Sequence, residues 1–157
     1  MLDERKGGLT GAMEIVQNVF EVPITVTEAD IDGLGHVNNV VYVRWVQEAA
    51  IAHWSVLSTE EERARLLWVV IRHEIDYKRA AYLGDALVAR TWVGKVDGLA
   101  FERNTEIVRS GDHRLLAKAR TLWCPVDAKS LKPMEPGAAV RAKFSASGPE
   151  VLAPDIF

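Results

Sequence analysis

The chain holds a single cysteine, Cys124, so no intrachain disulfide can form and nothing points to an oxidising compartment. It also lacks a basic surplus: 19 lysines and arginines face 22 acidic residues, a net charge of −3. That is not the profile of a domain held on nucleic acid by phosphate contacts, although a small anionic ligand needs only a local basic patch. No apolar run approaches the length of a membrane span. Residues 1–13 lack the continuous apolar stretch of a secretion signal, so a cytoplasmic protein is expected. His36, His53, His73 and His113 are dispersed, and no HExxH or CxxC pattern occurs, so no metal site is expected. A GxSxG nucleophile elbow and a phosphate-cradling glycine loop are missing too.

What is present suffices for one domain with one core: 157 residues, 48% of them hydrophobic. The stretch through residue 13 is polar and glycine-bearing, and residues 145–157 hold Gly148, Pro149 and Pro154; both read as tails. The domain is expected over 14–144. Residues Val19 to Val26 alternate with period two, which predicts a strand, and Pro23 inside it predicts an edge or a bulge. Thr27 to Gly35 is a loop. From about Asn38 to Leu57, Val43, Val46, Ala49, Ala50, Trp54 and Leu57 recur at helical spacing. Val40, Val41, Trp45 and Ile51 widen that stripe, predicting a helix covered on most sides. Glu60 to Arg65 is a charged turn or short helix. Four strand-like runs follow, Leu67 to Tyr77, Ala86 to Val96, Ala100 to Arg109 and Leu115 to Val126. Turn signals at Leu83-Gly84-Asp85, Asp97-Gly98 and Ser110-Gly111-Asp112 separate them. The order predicts an α+β fold, a long helix wrapped by a curved antiparallel five-stranded sheet. Cys124 falls in the last apolar run and reads as a buried structural thiol.

The loop before the helix concentrates Asp30, Asp32, His36, Asn38 and Asn39, with Gly33 and Gly35 among them. It ends at a helix N-terminus, whose free N–H groups and dipole favour negative charge. A carboxylate and an imidazole thus stand beside donors for an oxyanion, the parts that acyl-bond hydrolysis requires. The same residue types also build turns and caps, and Asn38 serves equally as an N-cap.

The run Asp30-Ile-Asp32-Gly-Leu-Gly35-His36-Val-Asn38-Asn39-Val-Val-Tyr42-Val-Arg-Trp45 resembles the signature of the 4-hydroxybenzoyl-CoA thioesterase-like family and of the related acyl-ACP thioesterases. Ile75 to Ala80 with Gly84-Asp85, and Leu116 to Asp127, resemble that family's later strands, so the match spans roughly residues 18–137. The resemblance implies a hotdog fold and an acyl thioesterase acting on a coenzyme A or acyl carrier protein thioester. Coenzyme A would be part of the substrate, with no bound cofactor. It places Asp32 at the catalytic carboxylate, as nucleophile or general base, and Asn39 at the backbone N–H that polarises the thioester carbonyl. His36 and Asn38 match positions bordering the site, His36 counted with the catalytic group and Asn38 with the substrate. Tyr42 is placed to line the acyl pocket. Each has a structural alternative: a loop-capping carboxylate, a histidine bonded to backbone, an N-cap and a core tyrosine. The family forms homodimers and dimers of dimers with sites at the subunit interface. Two rival functions share the fold, a non-catalytic acyl-CoA-binding protein and a hydroxyacyl-thioester dehydratase.

Many relatives carry Ala-Arg after the helix glutamate. Here Glu48 precedes Ala49-Ala50, which implies a missing helix ion pair. Strand alternation turns either His73 or Glu74 inward, with solvent exposure or ion pairing the ordinary outcome. Arg72, Lys78, Arg79, Arg90, Lys95 and Arg103 are candidate surface cations for coenzyme A phosphates. Trp45, Trp54, Trp68 and Phe101 are candidate pocket walls.

Overall fold

The computed structural model describes residues 19–144; the tails expected at 1–13 and 145–157, and residues 14–18, lie outside them. Strand β1 (Phe20–Thr25) leads through a 3-10 turn to helix α1 (Asn39–Leu57) and a short helix α2 (Glu60–Arg65). Strands β2 (Leu66–Tyr77), β3 (Ala86–Asp97), β4 (Ala100–Arg109) and β5 (Arg114–Asp127) follow, then helix α3 (Ala138–Phe144). The five strands form one antiparallel sheet in the order β1-β3-β4-β5-β2, so β1 and β2 are its edges. Pro23, which cannot donate to a ladder, sits on the β1 edge as expected.

The turns follow from local chemistry. Gly98 takes φ +58 in the tight β3–β4 turn, a conformation open to glycine at no steric cost. In the β4–β5 turn the left-handed residue is His113 (φ 56), not Gly111. Asp112 makes this possible by accepting from the Arg114 N–H and binding the Arg109 guanidinium.

Helix α1 lies against β1, β3 and β4. Its buried stripe is Tyr42, Trp45, Val46, Ala49, Ala50 and His53. Ala49 packs in one cluster with Ala89 and Ala117 of the sheet, and these small side chains let helix and sheet approach closely. The expectation that α1 is covered on most sides is corrected for the single chain: Val40, Ile51 and Val56 remain exposed. Glu48 does have a helix ion pair, with Arg44 at 3.4 Å, contrary to the expected loss.

The core divides in two. Tyr42, Trp45, Leu87, Ile107 and Leu116 pack beneath the first half of α1. Leu66, Val93, Phe101, Val140 and Phe144 pack beneath the second half, with α3 closing that end. Between the two ends sits a buried polar pair. Arg103 on β4, 5% exposed, donates from Nη1 to His53 Nδ1 (2.8 Å) and to Thr91 Oγ1 (3.2 Å). Phe20 of β1 stacks on the His53 ring.

This pair makes stability depend on pH. Burial, and then the Arg103 charge, lower the His53 pKa from 6.5 to about 4. The unfolded chain therefore binds more protons between those values, so stability falls as pH drops through that window. With some residual solvent access at His53, the loss is ~1–2 kcal/mol. Urea midpoints measured at several pH values should show this slope, and His53→Gln, which keeps an acceptor for Arg103, should flatten it.

Candidate active site

The loop from Thr27 to Asn38 is held by its two aspartates in different ways. Asp30 is 2% exposed and serves the structure. Its Oδ2 accepts from the Thr27 N–H and hydroxyl, its Oδ1 accepts from Arg44 Nη2 at 2.8 Å, and its carbonyl accepts from the Asn38 N–H. Burial works to raise its pKa, but the Thr27 bonds and Arg44 outweigh that and hold the carboxyl below the usual range. Asp30 thereby pins both ends of the loop.

Asp32 is at the surface side of the same loop. Ile31 and Val37 pair as an antiparallel bridge, the Asp32 N–H donates to the His36 carbonyl, and Gly35 closes the turn at φ +81. The Asp32 carboxylate accepts from the Leu34 N–H at Oδ1 (2.9 Å) and from Asn38 Nδ2 at Oδ2 (3.2 Å). Asn38 is also the N-cap of α1, its Oδ1 accepting from the Val40 N–H at 2.9 Å. One side chain therefore does both tasks that the sequence left as alternatives. Its oxygen is committed to the helix, so its nitrogen is left to orient Asp32.

Asn39 is the first helical residue. Among the described residues its N–H has no acceptor, while its carbonyl accepts from Tyr77 Oη at 2.8 Å. A half-buried carboxylate is thus hydrogen-bonded to the residue that precedes an unused N–H at the positive end of a helix of 19 residues. This arrangement can place a nucleophile or base on one side of a carbonyl and a donor for its oxygen on the other.

His36 contributes differently. Its Nδ1 donates to the Val37 carbonyl at 3.1 Å, its ring meets Tyr82 edge-on, and no hydrogen bond links it to the Asp32 carboxylate. Tyr42, expected to line an acyl pocket, is a core residue at 3% exposure. Its hydroxyl accepts from the Ala81 N–H, and its ring packs edge-on against Trp45 and Tyr77. Burial raises its pKa. Tyr42 and Tyr77 together brace the start of α1 against the end of β2. Periodicity gave no access to that contact, since the residues lie far apart along the chain.

Of the candidate surface cations, Arg103 is corrected outright, because it is buried. Arg72 pairs with Glu74, and Arg90 with Glu21 and Glu106. Lys78, Arg79 and Lys95 are exposed and form no ion pair among the described residues. His73, not Glu74, is the inward residue, half-buried with Nδ1 at 2.9 Å from Thr121 Oγ1. Glu74 pairs with Arg72 and Arg120. Cys124 is half-buried, its Sγ near the Pro125 carbonyl.

A cavity of about 310 Å³ lies under the second half of α1. Trp54, Trp68 and Phe101 line it as expected, whereas Trp45 belongs to the other half of the core. No three His, Cys, Asp or Glu side chains among the described residues are grouped to hold a metal, and no described helix is long and apolar enough to cross a membrane.

Comparison with known proteins places the fold. The chain is 28% identical over 134 residues to the acyl-CoA thioesterase YbgC of Haemophilus influenzae, covering 83% of this chain and 97% of that protein. The fold matches Slr0204, a 1,4-dihydroxy-2-naphthoyl-CoA thioesterase from Synechocystis, at TM-score 0.70 and 21% identity over 80% of this chain and 95% of that one. It also matches a Thermus thermophilus thioesterase crystallised with coenzyme A and zinc, at TM-score 0.67 and 25% identity over 79% and 90%. The model of the thioesterase-like superfamily matches residues 26–144, a span that takes in the Asp32 loop, α1 and all of β2 to α3, and the chain belongs to that superfamily.

Proposed function

We propose that this protein hydrolyses acyl thioesters of coenzyme A. The observation that carries the reading is the Asp32 carboxylate, oriented by Leu34 and Asn38 beside the unused Asn39 N–H. Asp32 attacks the thioester carbonyl or activates a water for that attack, and the Asn39 N–H takes the developing oxyanion. The thiol leaves as the acyl carbon gains an oxygen. His36 borders the reaction centre and shapes the loop through its carbonyl and its Nδ1. Lys78 and Arg79, next to Tyr77 and without carboxylate partners among the described residues, supply cations for the phosphates of the carrier. Thiol release from a panel of acyl-CoAs, with acyl carrier protein thioesters alongside, tests the reading. Tight retention without turnover would favour a binding protein, and hydration or dehydration of the acyl chain a dehydratase.

Asn38 separates structure from chemistry. Asn38→Ser keeps a capping oxygen and replaces the amide donor to Asp32 by a shorter side chain whose hydroxyl stops short of that carboxylate, so stability should change by only ~0.5 kcal/mol. Turnover should fall about tenfold as the carboxylate loses its orientation. Paired urea and steady-state measurements read the two effects separately.

The chain also pairs with itself, as a dimer or a dimer of dimers. Edge strand β2 is 12 residues long and exposes Leu67, Val69 and Ile71, a surface that isolated proteins usually protect. Ile51 of α1, also exposed, lies over the same side of the molecule, lining the cavity with Leu67. Ile71→Arg places a charge on this edge at a position 58% exposed in the single chain. It should leave the monomer folded and shift the mass seen by light scattering to that of one chain. The single cysteine, without an intrachain partner, fits a reducing compartment such as the cytoplasm.

A further inference from the structure

Arg103 is a buried cation without an anion. Its Nη1 is bonded to a histidine and a threonine, and no carboxylate among the described residues forms an ion pair with it. Burial lowers its pKa to about 10, and its neighbour His53, an imidazole, can offer it an acceptor nitrogen but no negative charge. Taking a guanidinium out of water costs several kcal/mol unless something repays it. A methionine or leucine would fill the same space at no such cost.

Arg103 is also a wall of the cavity under α1. The other walls include Trp54, Trp68, Phe101, Trp123 and Phe144. The Nε1–H groups of Trp68 and Trp123 are buried and find no acceptor among the described residues. One carboxylate, Glu102, belongs to the lining residues, and Arg120 and Asn104 already hold it. The second lining arginine, Arg63, is spent on the Ser55 and Ser58 carbonyls and the Ser58 hydroxyl. The cavity is therefore flat-walled and apolar, with a buried cation and no free anion.

Its place in the fold links it to the reaction centre. In the dimer proposed above, antiparallel pairing of two β2 edges would set the Leu66–Trp68 end of one copy beside the Tyr77 end of the other, and Tyr77 is bonded to Asn39. The cavity of one copy would then lie toward the helix start of its partner. We propose that this cavity takes an acyl group ending in a carboxylate, an ω-carboxyacyl thioester whose far carboxylate pairs with Arg103 while its chain packs among the aromatic rings. Hydrolysis adds water across the thioester, releasing the thiol and a dicarboxylic acid; the far carboxylate is unchanged. This rests on the thioesterase reading above.

The test compares matched substrates, hexanoyl- against adipoyl-CoA and octanoyl- against suberoyl-CoA. In the wild-type protein at least one carboxylated substrate should exceed its neutral partner in kcat/KM by about tenfold or more, since a site built for a polar group rejects the analogue lacking it. Arg103→Met should abolish that preference, lowering kcat/KM for the carboxylated substrate far more than for its neutral partner. Free suberate at millimolar concentration should raise the wild-type Tm and leave that of Arg103→Met unmoved, a readout that needs no turnover. Equal or better hydrolysis of both neutral substrates, or a suberate shift that survives Arg103→Met, overturns the inference and leaves the thioesterase reading standing. If Arg103→Met does not fold, absence of any suberate shift in the wild-type protein overturns it by itself. Thiol release from none of the four substrates, with a suberate shift that depends on Arg103, would sink the thioesterase reading and keep the carboxylate site.

Discussion

Asp32→Asn is expected to lower kcat for thioester hydrolysis by about 10³-fold or more, since it removes the nucleophile or base and leaves only binding and the helix N–H. The fold should survive. The Asp32 side chain is half-buried, and its bond to the Leu34 N–H can be kept by the asparagine oxygen. The second oxygen becomes an amide nitrogen facing Asn38 Nδ2, a donor against a donor. Asn38 cannot simply flip to accept, because its own oxygen caps the Val40 N–H. The mismatch costs ~1 kcal/mol at this partly solvated site. Loss of turnover with a urea midpoint shifted only slightly would place the chemistry at Asp32. Turnover within a few-fold of wild type would sink the proposed mechanism. The matching change at the other motif aspartate has the opposite signature: Asp30 is buried and bonded to Thr27 and Arg44, so its loss is felt in folding first.

Phe144→Ala is expected to destabilise the protein by ~3–5 kcal/mol, the usual cost of emptying an aromatic site in a core. Phe144 is 6% exposed and closes the second half of the core. Its ring stacks on Trp54 at 5.9 Å and meets Trp68 and Phe101 edge-on at 5.3 and 5.5 Å. Those three rings are cavity walls, so the truncation also loosens the proposed acyl site. A drop in Tm by roughly 10 °C or more follows from that free energy in a domain of this size. A calorimetric scan checks it, and a change below ~1 kcal/mol would show that α3 does not seal this end.

Much of the fold is legible in the residues. The two-residue alternation of β3, β4 and β5, the turn at Gly98 and the N-cap at Asn38 depend on neighbours within a few positions, and local chemistry sets them. The candidate site is legible for the same reason. Asp32, Asn38 and Asn39 lie within eight residues, so one loop and one helix start bring them together. Helix α3 escaped notice because Ala138 to Phe144 is only two turns long, too short for a period to show, and is held by the rings it covers.

The roles of single side chains divide along the same line. The resemblance picks Asp32 over Asp30, and the packed structure adds the physical difference: Asp30 is buried and paired with Arg44, whereas Asp32 is oriented by Asn38. Tyr42 has the spacing of a pocket residue and is held in the core by Ala81 and Tyr77, partners 39 and 35 positions along the chain. Arg103 reads as one of many scattered cations. Its burial beside His53, 50 positions away, arises only when β4 passes beneath α1. The strands, the long helix and the loop of the candidate site follow from the residues alone, because short-range sterics and hydrogen bonding decide those. The tertiary structure alone decided which carboxylate faces solvent, where the cavity lies and which cation it encloses. Those depend on desolvation and on contacts between residues that are close only after the sheet has wrapped the helix.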